Sequence, residues 1–177
     1  MLSTHNSHPL DSSITFDEEP HIYTVNGNSN YLSVTTFIHK QFNRFNPDKI
    51  IRNMMKSKNW ASSKYFGKTP EEIKSLWKAN GIEAATAGTK MHYDIEQVYN
   101  NKAVDNVSPE FKLFEEFKAD HQHLIPYRTE WMIYDELLQL AGSIDIVFKN
   151  LDSTYSIYDW KRCKQIYTYN RFNKYSK

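Results

Sequence analysis

The chain has 177 residues, 40% of them hydrophobic, and 22 Lys/Arg against 21 Asp/Glu give a formal charge of +1. That length suits one folded domain with its own core, the composition excludes a disordered chain, and the near-neutral charge makes any nucleic-acid surface a matter of local segregation. Cys163, the single cysteine, excludes an internal disulfide and an iron–sulfur cluster held by four cysteines of this chain.

No apolar run approaches the roughly 18 residues of a membrane span, and no basic-then-apolar segment follows Met1. The expectation is therefore an intracellular protein, of the cytoplasm or nucleus, with no membrane partner and not secreted. Residues 1–13 are polar and aperiodic and read as a disordered leader. Over 14–33, Ile14, Phe16, Ile22, Tyr23 and Val25 flank the turn-rich Asn26-Gly27-Asn28-Ser29-Asn30, which predicts a β-hairpin. Residues 34–42 read as a short helix. A second helix is expected after Asn46, with Pro47 at its first position, Asp48 in its first turn, and Ile50, Ile51, Met54 and Met55 as its buried stripe.

Thr69-Pro70-Glu71-Glu72 spells an N-cap, a first-position proline and a capping box. Ile73, Leu76 and Trp77 supply the apolar face, and Gly81 is the expected stop. A further helix is predicted over 83–99, with Met91, Ile95, Val98 and Tyr99 on one face, and another over 111–121 with Phe111, Phe114 and Phe117 along it. The period then changes. Strands are predicted over 127–134, 138–148 and 155–160, most simply as an antiparallel meander. After Asp159 no acidic residue occurs. Lys161, Arg162, Lys164, Arg171, Lys174 and Lys177 alternate with Tyr167, Tyr169, Phe172 and Tyr175, a pattern that suits phosphate contact and base stacking and equally suits a solvated basic helix or a frayed tail.

Three short patterns carry chemistry. In Asp159-Trp160-Lys161, strand alternation would project the carboxylate and the ammonium together and send Trp160 to the other side. A carboxylate that binds a hard cation beside a lysine that steadies phosphorane charge suits phosphodiester cleavage; a same-face ion pair is the plainer reading. In Ala141-Gly142-Ser143-Ile144-Asp145, Asp145 lies one strand earlier, where a hairpin can fold it towards Asp159, and Gly142 leaves room for close approach. In Gly88-Thr89-Lys90-Met91-His92-Tyr93-Asp94-Ile95-Glu96, His92 and Glu96 stand one helical turn apart beside the buried stripe. Singly, each has an ordinary structural explanation.

In this order the three patterns resemble the RecB-like branch of the PD-(D/E)xK nuclease superfamily, with particular similarity to viral and phage relatives of the lambda-exonuclease group over about 14–164. The resemblance implies an α/β fold with a restriction-endonuclease-like core: a mixed β-sheet flanked by helices, here preceded by a hairpin and a helical region. It implies a magnesium- or manganese-dependent deoxyribonuclease, in the first instance an exonuclease of DNA replication, recombination or repair, with DNA and replication or recombination proteins as partners. It implies metal binding by His92, Asp145, Asp159 and the Trp160 carbonyl. Lys161 would be the catalytic lysine, Glu96 a helix glutamate beside the metal, and Glu130 a supporting residue outside the ligand set. Arg162, Lys164, Gln165 and Tyr169 would contact DNA. Pro47-Asp48 and Glu72-Ile73-Lys74 spell the superfamily's name literally but start helices, so they are set aside. The Q-x-x-x-Y pattern Gln165–Tyr169 falls closer to Lys161 than in the family, and the chain stops at Lys177 in a basic stretch, so residues 14–177 are expected to be one nuclease domain truncated at its C-terminus. A nuclease-fold DNA-binding module with weak or no turnover is the alternative.

Overall fold

The computed structural model describes residues 1–163. After a single helical turn α1 (Leu2–His5) and a 3-10 segment (Pro9–Ser13), strands β1 (Ile14–Asp17), β2 (Ile22–Val25) and β3 (Asn28–Ser33) follow. Helices α2 (Val34–Lys40), α3 (Pro47–Met55), α4 (Pro70–Tyr99) and α5 (Pro109–Asp120) come next, then strands β4 (Ile125–Asp135), β5 (Leu140–Lys149) and β6 (Tyr155–Tyr158). The fold is mixed α/β, with one mixed sheet flanked by helices. No helix among the described residues is long and apolar enough to cross a membrane.

The sheet runs β1-β2-β3-β5-β4, and β6 also pairs with β5. The predicted meander is present, since β4–β5 and β5–β6 are antiparallel. The predicted hairpin is instead a three-stranded unit. Only Asn26 and Gly27 turn, at φ 49° and 79°, the left-handed pair that a two-residue hairpin turn requires. Asn28, Ser29 and Asn30 belong to β3, which pairs parallel with β5 through Leu32↔Leu140 and Ser33↔Ala141. On that same edge β6 covers only Ile146 to Lys149. Residues 142–145 of β5 are therefore flanked by β3 and β6 but paired with neither, and Asp145 sits at the end of this gap.

Helix α4 begins as expected, with the Thr69/Glu72 capping box formed in both directions, but it does not stop at Gly81. It runs for 30 residues, about 45 Å. Ala84, Ala85 and Ala87 stand between the two glycines of the helix, Gly81 and Gly88, and an exposed Gly81 costs only about 1 kcal/mol. The buried stripe expected on α3 shrinks to Ile51, because Ile50 is exposed and Met54 and Met55 are only half-buried.

Two clusters form the core. Met91, Ile95 and Tyr99 of α4, Phe111 and Phe114 of α5, and Ile146 and Phe148 of β5 make the larger one, with Trp160 packed against it. Ile14, Tyr23, Val25 and Ala141 make the smaller. Residues 1–13, expected as a disordered leader, are folded onto β4 and the end of α4. Leu2 N donates to Asn100 Oδ1 (2.8 Å), Asn6 Nδ2 to the Tyr127 carbonyl (2.8 Å), and Arg128 grips Asp11. This order comes from polar partners about a hundred residues distant, which local periodicity does not report.

Candidate metal centre

The β4–β5 register places Glu130 opposite Asp145, between the pairs Thr129↔Ile146 and Trp131↔Ile144. Two carboxylates facing each other across strands repel. Glu130 also adopts φ 43°, a left-handed conformation costly for a residue with a side chain, in the middle of a strand. Its Oε2 accepts from Ser143 Oγ at 3.1 Å.

His92 faces this pair from α4. Its neighbour Met91 is buried in the larger core, so the imidazole emerges at the border of the apolar face. One turn earlier Gly88 leaves open the space a side chain would take, and no atom lies within 4 Å of where its Cβ would be. His92 Nε2 lies 2.9 Å from the Trp160 carbonyl oxygen. A carbonyl only accepts, so Nε2 carries the proton. The other ring edge faces acid: Nδ1 is 3.5 Å from Asp145 Oδ2 and 3.9 Å from Glu130 Oε1. A neutral ring would thus aim a lone pair at two carboxylates. Either a second proton or a cation must lie between them. Accordingly the Glu130 carboxylate, with Asp145 and the Trp160 carbonyl adding to it, raises the His92 pKa against the opposing effect of burial.

The acids show the same deficit of positive charge. Burial, with Asp159 and Glu130 nearby, raises the Asp145 pKa although Trp160 N–H donates to Oδ2 at 2.7 Å and His92 stands close. Burial and then Glu130 raise that of Glu96. Among the described residues, His92, Glu130 and Asp145 form a group whose ligand atoms all lie within 4.8 Å of one another and which can hold a metal ion. One imidazole nitrogen and two carboxylate oxygens suit a divalent cation that retains water. The donor set fits, because each member offers a lone pair and the group lacks the charge a cation brings. A cleft of ≈ 440 Å³ opens on it, lined by Phe16, Glu18, Gly88, His92, Glu96 and Glu130 among others.

Of the residues expected at the site, His92 and Asp145 converge, and Glu96 lines their cleft. Glu130, expected outside the ligand set, is inside it. Asp159 is not. The β6 ladder ends at Tyr158, and the Asp159 carboxylate accepts from its own neighbour Lys161 at 2.7 Å, with both side chains mostly exposed. The two do project together, as the D-x-K spacing predicts, and Trp160 does point into the core. The Trp160 carbonyl, expected as a ligand, holds the far side of the imidazole, the orienting role that a backbone carbonyl commonly plays behind a ligating histidine. Arg162, expected to contact DNA, is engaged by Glu110 (2.6 Å) and Glu83 (3.3 Å). Gly142 admits protein: Val34 Cγ2 lies 3.4 Å from where its Cβ would be. Lys164, Gln165 and Tyr169 lie outside the described residues. Sequence reading missed Phe16 and Glu18, which reach the cleft from β1 and the turn after it and belong to no motif. Comparison with family models, with curated proteins and with solved structures gives no match to this chain.

Proposed function

We propose that the protein is a metal-dependent deoxyribonuclease with a restriction-endonuclease-like core, built on the RecB-like pattern of PD-(D/E)xK nucleases. The observation that carries this reading is the convergence of His92, Glu130 and Asp145 beside the chain segment holding Asp159, Trp160 and Lys161. Helix and strand bring together the histidine of G-x-x-x-H and the aspartate of G-x-x-D, and the D-x-K segment reaches them through the Trp160 backbone.

In this reading His92, Glu130 and Asp145 would hold Mg²⁺ or Mn²⁺, which would supply positive charge at the scissile phosphate and a more acidic water. The Trp160 carbonyl fixes the imidazole, and the Trp160 amide fixes the Asp145 carboxylate. Lys161, whose side chain is 75% exposed, stabilises negative charge developing on the phosphate once it leaves Asp159. An ion pair that exposed is worth little, so substrate phosphate displaces Asp159 at small cost. Released from Lys161, the Asp159 carboxylate would be free to add its charge to the group.

The position of Asp159 also favours one alternative: a DNA-binding module that keeps the metal group but turns over slowly, because its second aspartate is engaged elsewhere. Purified protein on end-labelled linear and circular DNA, with Mg²⁺, Mn²⁺ or EDTA, separates the two. Metal-dependent cleavage that Asp145→Ala removes supports the nuclease. Binding without cleavage in either metal supports the module. Lys161→Ala is expected to lower kcat and leave Mn²⁺ affinity by calorimetry within about twofold, since it touches charge formed in the transition state. Loss of metal as severe as in Asp145→Ala would overturn that role.

A further inference from the structure

The overall charge of +1 conceals a strong segregation away from the metal group. Residues 40–68 hold eight Lys/Arg and one acid, Asp48, so the remainder of the chain carries a formal −6. This arm runs from the end of α2 through α3 to the residue before the α4 cap. All eight cations are exposed, and none forms an ion pair among the described residues. Asp48, the one acid, is neutralised from outside by Lys74 at 3.0 Å.

Aromatic rings stand among these cations. Phe45 is 68% exposed and Phe66 59%. Each is backed by an indole, Phe45 by Trp77 with centroids 5.8 Å apart and Phe66 by Trp60 at 6.0 Å. Braced rings offered to solvent between cations outside any ion pair are the two elements of a single-strand platform: stacking faces for bases and charge for the backbone. A cleft of ≈ 610 Å³ opens beside Phe45, lined by Thr36, His39, Lys40, Asn43, Arg44 and Phe45 among others. An anionic membrane is the poorer fit. On α3 the best-buried apolar residue, Ile51, faces inward, and it and Ile73 are both buried where α3 meets α4, which leaves Ile50 as the exposed aliphatic side chain of that helix.

The arm is rooted in the elements that build the metal group. α2 starts at Val34 against Gly142, next to Ser143, whose hydroxyl donates to Glu130. At its other end the chain enters α4, which carries His92 23 residues beyond the Thr69 cap, about 35 Å along the axis.

We propose that residues 40–68 form a binding surface for single-stranded nucleic acid, with Lys40 and Arg44 on phosphates and Phe45 and Phe66 under bases. The proposal takes the polymer from the nuclease reading but needs neither metal nor turnover, so it is tested in EDTA. Full-length chain is titrated by fluorescence anisotropy into labelled oligothymidylate of about 30 nucleotides, a duplex of the same length, and phosphatidylserine vesicles. The single strand is expected to bind tightest. The double variant Lys40→Ala/Arg44→Ala should flatten the slope of log K against log salt by about 1.4, or about 0.7 for each phosphate that is no longer neutralised. Phe45→Leu and Phe66→Leu keep an apolar partner for each tryptophan, and each should weaken binding about fivefold or more with the slope unchanged. Thermal melting confirms that the variants fold. Tighter binding to duplex or vesicles, or wild-type affinity and slope in all variants, overturns the proposal. Single-strand binding with these signatures but no cleavage under Mg²⁺ or Mn²⁺ removes the nuclease reading and leaves this one. Cleavage with wild-type strand affinity in every arm variant does the reverse.

Discussion

Two residues apart on β4, Arg128 and Glu130 meet their carboxylate partners under opposite conditions. Arg128 is 5% exposed and clasps Asp11: Nη1 reaches Oδ2 at 2.8 Å and Nη2 reaches Oδ1 at 3.2 Å, while Trp131 Nε1 and the His8 amide donate to the same carboxylate. Every one of these groups is a donor facing a single acid, and the Asp11 pKa is held at about 2 by the Arg128 hydrogen bonds above all. Glu130 faces Asp145 and one imidazole edge, and the pKa values of Asp145, Glu96 and His92 all move upward. The first region is electrostatically closed, and its charges hold the N-terminal segment to the sheet. The second is open, and its folded geometry carries an unmet demand for positive charge. Like charges kept together against their own repulsion mark a site that binds; opposite charges paired with each other mark a joint, here through both terminal nitrogens of Arg128 while its buried Nε has no partner among the described residues.

The largest expected effect tests the open region. Asp145→Asn should lower Mn²⁺ affinity and metal-dependent hydrolysis about a thousandfold, since a metal's contribution to the transition state is several kcal/mol and each ~1.4 is tenfold. The same substitution should raise the melting temperature of the metal-free protein, because it removes one of two facing charges. A metal-free Asp145→Asn that melts below the parent would show that the carboxylate is a structural partner of the Trp160 amide and nothing more.

The closed region should respond in the other sense. Asp11→Ala leaves a buried guanidinium without its partner and is expected to cost about 3 kcal/mol in urea unfolding, with Mn²⁺ affinity unchanged. A loss below about 1 kcal/mol would show that the clasp is dispensable. Acid titration sharpens the point. The folded Asp11 pKa is about 2 against an unfolded 3.8, so its stabilisation is fully present above pH 3.8 and is lost as the pH falls through 3.8 towards 2. The amount is on the order of 2 kcal/mol. In the Asp11→Ala protein that part of the acid transition should vanish, and unfolding curves recorded from pH 5 to pH 2 measure it directly.

The contrast also explains what is legible in the sequence. Local signals read true wherever the cause is local. The Thr69/Glu72 capping box, Asn46 ahead of Pro47, and the alternating segments that became β4 and β5 all appear as expected. His92 and Asp145 are legible because helix periodicity and a hairpin suffice to place them. The leader, Glu130 and Asp159 are not. Asp11 has no local partner except the His8 amide, and its order depends on Arg128, 117 residues away. Asp159 keeps the side that alternation predicts but lies beyond the end of β6, where its carboxylate is taken up by Lys161 and is not in the ligand group. Glu130 enters the ligand group through a register and a backbone angle, neither of which any spacing of residue types encodes.

The smallest expected effect tests that backbone angle. At φ 43° Glu130 bears a cost that a glycine would not, since only the Cβ makes the left-handed region unfavourable. Replacing Glu130 with any uncharged residue also removes its repulsion with Asp145, so one variant alone mixes charge and strain. Comparing Glu130→Gly with Glu130→Ala isolates the strain, because both delete the carboxylate and only alanine keeps the Cβ. If the left-handed conformation persists, the glycine variant should be the more stable by about 1 kcal/mol in metal-free urea unfolding, the reverse of the usual order within a strand. Alanine matching or exceeding glycine would mean that the strand relaxes to ordinary extended backbone once the carboxylate is gone. In that case the angle is imposed by the hydrogen bond that the carboxylate accepts from Ser143 and by its proximity to His92, and the strain arises from the site rather than from the surrounding sheet.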